Sequence, residues 1–200
     1  MTSFWNNFYK KKKIISPSNF AKYCKNIYLK KNKKILDIGC GNGRDSYYFE
    51  KNKLLVTAID KSTKVIEINK SRLKNKNIKF INLDIDDKKV LKLGKFDYIY
   101  ARFFLHTINE ISENKLISKI AKLSKIKKTI ILFEFRTIKD PLFNFGKKLK
   151  KYERFTDHYR RFINLKEFKQ KLIKKNNFKI IKIIEKKGLA KFKKENPVVA

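Results

Sequence analysis

The chain has 200 residues, of which 42% are hydrophobic, and a formal net charge of +34. The length suits one domain with a sizeable core, and the apolar content excludes a disordered chain. Such a charge ordinarily points to a polyanion or an anionic membrane surface, but only seven of the 52 basic residues are arginine and the other 45 are lysine. Lys, Asn, Ile, Phe and Tyr are abundant together while Gly, Pro, Trp and Met are scarce. The pattern reads first as drift in composition with a solvated lysine surface, and second as polyanion binding. Against this background an arginine marks a place that needs a planar, bidentate fork. Cys24 and Cys40 form neither a disulfide framework nor a metal pattern, which fits a reduced cytoplasmic protein. The N-terminus lacks a signal-peptide core, and no segment approaches the roughly 20 apolar residues of a membrane span.

In chain order, residues 1–16 are an aromatic and then basic lead-in whose Phe4, Trp5 and Tyr9 read as a lid or as packing on a sheet. Pro17 and a cap from Ser18 or Asn19 open a helix that runs to about Leu29. Strands are expected at 33–38, 54–60, 78–84, 96–101 and 129–135. Helices are expected between them at 44–52, at 62–74 with Ser62 as cap, and at 109–125 capped by Asn109. The last of these carries the stripe Ile111, Leu116, Ile117, Ile120 and Leu123. Residues 136–162 read as an irregular, substrate-facing insertion, followed by an amphipathic helix at 165–176 and strands at 178–185 and 197–200. Alternating strands and helices predict one α/β domain over 1–200, with a lid and helix in 1–30. Its sheet is expected to be mostly parallel and seven-stranded, with helices on both faces and an antiparallel C-terminal hairpin.

Half of the six glycines, Gly39, Gly41 and Gly43, alternate between the first strand and its helix. Such a turn lets backbone approach a ligand closely. Asp60 closes the second strand about 20 residues on, where a carboxylate grips ribose hydroxyls. A dinucleotide fold wants Gly-x-Gly-x-x-Gly, and Arg44 stands where its last glycine would be. The spacing, with Asp37 two residues ahead, fits S-adenosylmethionine (SAM) better, because SAM carries no pyrophosphate and brings an ammonium that wants an acid. A glycine turn without a ligand is the bland alternative. The recurrence of Asp37, Asp60 and Asp84 at three strand ends argues against it.

The segments "LDIGCGNGRD", "AID", "NLDI" and "FDYIYARFFLH" together resemble the class I SAM-dependent methyltransferases, with a Rossmann-like fold, over nearly the whole chain. The resemblance implies that Asp37, Gly39, Gly41 and Gly43 hold the amino-acid portion of the cofactor. It places Asp60 on the ribose, Asp84 and Ile85 beside the adenine, and Ala101 and Arg102 at the sulfonium. Cys40, Arg44 and Lys61 complete the cofactor-binding set. A finer similarity, carried by "SPSNFA", "GNGRDSYYF", "ARFFLH", "EFRTIKD" and "DHYRRF", is to bacterial methyltransferases encoded with polysaccharide and capsule genes.

The chemistry implied is in-line attack on a sulfonium methyl, in which the protein aligns the reactants and excludes water. A hydroxyl or amine acceptor needs a base, for which His158 is the first candidate and His106 the second. Arg102 is the third catalytic candidate. Arg136, Arg160, Arg161 and Tyr159 are candidates for holding the acceptor, the arginines especially if it carries phosphate or carboxylate. All of these are expected to converge on the cofactor mouth. The bland readings are that His106 packs behind strand four, that one of the adjacent Arg160 and Arg161 points to solvent, and that Glu134 anchors a loop. The expected acceptor is a small molecule or a saccharide. An RNA acceptor is the alternative, and a non-catalytic SAM- or RNA-binding module of the same fold stands behind it.

Overall fold

A computed structural model describes residues 16–73, 77–125, 128–175, 178–191 and 196–200. The chain divides into two compact units, one up to Arg102 with Lys122–Leu132, the other Phe103–Ala121 with Phe133–Ala200. The expected N-terminal lid aromatics lie outside the described residues.

The first unit is built on a five-stranded parallel sheet of β1 (Lys34–Ile38), β2 (Leu55–Asp60), β3 (Ile78–Asn82), β4 (Tyr98–Arg102) and β5 (Ile130–Glu134). The spatial order is β3-β2-β1-β4-β5, so the chain reverses direction across the sheet between β1 and β4. That reversal is where open α/β sheets bind ligands, beyond the carboxyl ends of the strands. Burial follows position. β1 and β4 are central and buried at four of five residues, whereas β3 at the edge alternates buried and exposed. A strand covered on both faces must be apolar throughout; an edge strand need not be.

Among the described residues, three α-helices serve this unit: α1 (Asn19–Ile27), α2 (Arg44–Lys51) and α3 (Thr63–Ser71). Ser18 and Ser62 cap α1 and α3, accepting from the amides of Ala21 and Val65, the start signals read from sequence. Asp45, in the first turn of α2, accepts from Ser18 N (2.7 Å), Ser18 Oγ (2.8 Å) and the Tyr100 hydroxyl (2.8 Å). One buried carboxylate, satisfied by three donors, thus ties α1, α2 and β4 together. Phe20 and Phe49 pack on the Tyr100 ring at 5.3 and 5.0 Å.

The second unit contains most of α4 (Glu110–Leu123), a three-stranded antiparallel sheet, and α5 (Leu165–Gln170), which runs on into a π-turn at Lys171–Lys175. The small sheet has the order β6 (Lys147–Lys150), β7 (Glu153–Phe155), β8 (Tyr159–Arg161). It occupies the stretch expected to be irregular. Gly146 enters β6 at φ +81°, and a Cβ there would lie 2.5 Å from the Phe155 carbonyl oxygen, so the turn admits only glycine.

Two sequence expectations are corrected. The strands form a five-stranded and a three-stranded sheet rather than one sheet of seven. Residues 178–185 make no regular strand, and Ile181 is 68% exposed. The expected terminal hairpin is reduced to a bridge between Lys186 and Val199, and the chain end lies antiparallel to residues 135–137. There Phe135 and Ala200 exchange two hydrogen bonds of 3.0 Å. The second correction concerns α4. Ile111 is exposed, and the inward position of the first turn is held by Glu113, buried with Leu116, Ile117 and Ile120.

Candidate active site

The turn after β1 is set by its three glycines, at φ 70°, 52° and 73° for Gly39, Gly41 and Gly43. The amides of Gly39 and Cys40 both donate to the Ile59 carbonyl (2.9 and 3.1 Å), stitching the turn to the end of β2. Gly43 is also a close-approach site: a Cβ would meet Phe80 and Tyr47 carbons at 3.0 Å and Asn69 Oδ1 at 3.1 Å. The glycines therefore let backbone fill the space above β2, β3 and α3.

Asp37 is buried at the end of β1 and accepts from Ser46 Oγ at 2.5 Å. Burial pushes its carboxyl up to about 7; the Ser46 bond and the Arg102 charge pull down, while Asp45 and Asp60 push up. A carboxyl half-protonated near neutrality in a nearly dry site gains most from a cation placed beside it. Asp60 grips the turn and the following helix at once, accepting from Gly41 N (3.0 Å) on one oxygen and Ser62 N (2.9 Å) on the other. Burial raises its pKa, and these two amides and Lys61 oppose the shift. Each oxygen keeps a second lone pair for a hydroxyl. Cys40 is held protonated by burial and by the charges of Asp37 and Asp60.

Asp84 is exposed and closes a turn onto Asp86 N at 2.9 Å; Ile85 beside it is buried, as is Ala101 at the end of β4. Arg44 turns its Nε to within 3.6 Å of Asp45. Three alternating left-handed glycines give room, one acid is buried beside them, and a second retains acceptor capacity.

The second unit gathers the other candidates. Arg136 donates to Asp140 Oδ2 at 3.0 Å, and its guanidinium lies 5.8 Å from the Phe103 ring. His106 is buried edge-on to Phe103, 5.1 Å between ring centres, and its Nδ1 accepts a long 3.4 Å contact from Arg136 N. Phe103 itself is bent into the left-handed region at φ 52°, a conformation costly for an aromatic residue. His158 is buried, with Nδ1 3.0 Å from Asp157 Oδ1. Burial, then the charge of Arg160, lowers its pKa; Asp157 opposes, and Arg136 adds to the lowering. The imidazole is thus held neutral, as a base must be. Asp157 stays ionised: Arg160 and Thr156 outweigh the upward push of its partial burial.

Arg161 has internal partners. It donates to the Ile108 carbonyl at 3.0 Å and to buried Glu113, which also meets Lys171 at 2.5 Å. Tyr159 keeps its proton, its pKa raised by burial and then by Glu153. Three working residues escaped the sequence reading. Asp45 ties the helices, Arg154 donates to the carbonyls of Phe143, Lys150, Lys151 and Glu153, and Asn69 is fully buried under the turn. A signal existed for Asn69. It lies seven residues after the Ser62 cap, on the face of α3 that carries Val65 and Ile66.

A parallel sheet of this order, with an alternating glycine turn after β1 and acids closing β1 and β2, defines a Rossmann-like fold. Residues 29–192 match the model of a family described as Methyltransferase domain. The chain belongs to that family. The ribosomal RNA small subunit methyltransferase A of Mesomycoplasma hyopneumoniae (strain 232) is 30% identical over 129 residues, which are 64% of this chain and 45% of the relative. The chain thus spans about half the length of the curated relatives it matches. The solved glycopeptide N-methyltransferase MtfA, complexed with SAM, aligns over 92% of both chains with a TM-score of 0.68 and 13% identity. A TehB-like SAM-dependent methyltransferase from Corynebacterium glutamicum aligns over 67% of this chain and 70% of its own, with a TM-score of 0.54 and 20% identity. At those identities the likeness is one of fold.

Proposed function

We propose that the protein methylates a small molecule or saccharide that carries an oxyanion near its reacting hydroxyl or amine. SAM supplies the electrophilic methyl. Asp37, with Gly39, Gly41 and Gly43, orients the amino-acid end, Asp60 takes the ribose, and Asp84 and Ile85 flank the base. Arg102, whose charge reaches Asp37, steadies that carboxylate. His158 removes the acceptor's proton as the new bond to the methyl forms. Arg136 and Arg160 receive the oxyanion, which their planar forks suit. The observation that carries this reading is the electrostatics of His158: burial and two guanidinium charges keep it unprotonated, and those same charges attract an anion. The similarity of "ARFFLH" and "DHYRRF" to polysaccharide-associated methyltransferases supports a saccharide.

The test is transfer of tritiated methyl from SAM to a panel of sugars, sugar phosphates and structured RNA. Transfer to a sugar phosphate that is lost in His158→Gln, with cofactor affinity unchanged, is the expected result. RNA is the second reading, supported by the ribosomal RNA methyltransferase relative and by the fully exposed Lys147–Lys150 strand. Labelling of RNA alone would establish it in place of the first.

A further inference from the structure

Asn69 is completely buried on α3, although an amide inside a helix face is costly unless its polar atoms are used. Its Nδ2 donates to the Gly41 carbonyl at 2.8 Å, and its own main-chain carbonyl accepts from the Tyr47 hydroxyl at 2.8 Å. Its Oδ1 sits against Gly43, 3.1 Å from where a Cβ would be. Tyr47 packs in turn on Phe80, 5.2 Å between ring centres. A leucine would fill the same volume without the cost of burying an amide, so the amide has to be explained by what it holds.

It holds one end of Gly41. The other end is held by Asp60, which accepts from Gly41 N at 3.0 Å. A glycine at φ 52° has a wide conformational choice, and here its N–H and C=O are pinned by two different elements, β2 and α3. Because a trans peptide is planar with its N–H opposite its C=O, fixing the Gly41 carbonyl toward Asn69 also fixes the Asn42 N–H away from α3. We infer that Asn69 is a positioning residue for cofactor binding: through the Gly41 carbonyl it sets the peptide plane at the centre of the glycine turn, with Tyr47 holding Asn69 in place. This rests on the SAM reading above and adds a residue that acts through the Gly41 peptide.

The experiment is calorimetry of S-adenosyl-L-homocysteine and SAM at 10 °C with wild type, Asn69→Leu, Asn69→Ala and Tyr47→Phe, each with its thermal midpoint. Hydrogen exchange of the Gly41 and Gly43 amides in the ligand-free proteins is measured alongside. The expected result is a loss of affinity of about tenfold in both Asn69 variants, the equivalent of one hydrogen bond, with faster exchange confined to the turn. Tyr47→Phe, the mildest change and the one that keeps the fold most surely, should lose a smaller factor in the same direction. Unchanged affinity beside a lowered thermal midpoint would make Asn69 a packing residue only and overturn the proposal. If wild type binds neither ligand, the cofactor reading falls and the proposal falls with it.

Discussion

Placed against the cofactor's ammonium as proposed, Asp37 should make cofactor affinity depend on pH in a direction that follows from its surroundings. Its carboxyl is pushed up to about 7, by burial first. Below that value the free protein carries a neutral acid, which offers little to the ammonium of the cofactor. Binding a cation there requires the carboxylate and so expels a proton. If the bound carboxyl returns to an ordinary value near 4, affinity follows the ionised fraction in the free protein. That fraction is about 3% at pH 5.5 and half at pH 7, a rise of roughly 16-fold, or between 1 and 2 kcal/mol. The window stops at pH 7 because an α-amino group itself titrates at about 8. Calorimetry with S-adenosyl-L-homocysteine between pH 5.5 and 7, in two buffers of different ionisation enthalpy, reads both quantities. Release should be nearly one proton at the acid end and about half at pH 7. Asp37→Asn should bind more weakly than wild type at pH 7 and show no pH slope. A flat wild-type affinity with no proton released would refute the placement of Asp37 against the ammonium.

Three further outcomes are expected. Arg161→Met removes one of the two cations on buried Glu113, leaving Lys171, and should cost about 1–3 kcal/mol in urea unfolding; Glu113→Gln in the same chain should restore part of it. Gly43→Ala places a methyl against Phe80, Tyr47 and Asn69 at an unfavourable φ and should cost on the order of 3 kcal/mol by the same assay. Lys53 is exposed at φ 65°, so Lys53→Gly should raise stability by about 0.5–1 kcal/mol, the left-handed strain less the entropy of glycine.

The parallel sheet was legible because burial on both faces forces mostly apolar runs such as "ILDI" and "LVTAID", and because capping chemistry at Ser18, Ser62 and Asn109 is local. The cofactor turn was legible for the same reason: Gly39, Gly41 and Gly43 meet a backbone requirement that no tertiary contact can replace. What escaped depends on partners distant in sequence. Nothing near 147–161 announces a three-stranded sheet, since β6 is exposed along its whole length and reads as a lysine run. The run at 178–185 is apolar enough to read as a strand, yet a strand is made by its neighbour, and the described bridge to Val199 falls just after it, at Lys186. On α4 the periodicity placed Ile111 inward, but that place went to Glu113, because an arginine and a lysine from elsewhere made a buried acid tolerable.

The arginines bring these threads together. In a chain whose default cation is lysine, arginines were expected where a rigid fork is needed, and Arg136, Arg154 and Arg161 each hold internal partners; what the sequence could not say is which acceptor each fork meets. Arg154 collects four main-chain carbonyls and lies over Phe143 at 4.2 Å, a task with geometry that a flexible ammonium cannot match. Arg161 neutralises the acid buried beneath β8, and Arg136 clamps Asp140, which itself accepts from Leu142 N to start the turn before β6. Guanidinium groups therefore hold part of the second unit's irregular backbone, beside the buried apolar side chains of Phe162, Ile163 and Phe168. Arg160 differs, because its partner Asp157 is half in solvent and its charge falls on His158. Of the three arginines in β7 and β8, it is the one whose charge is directed at a titratable base. An acceptor's oxyanion would compete with Asp157 for it, and in doing so would raise the proton affinity of His158 as the methyl is transferred.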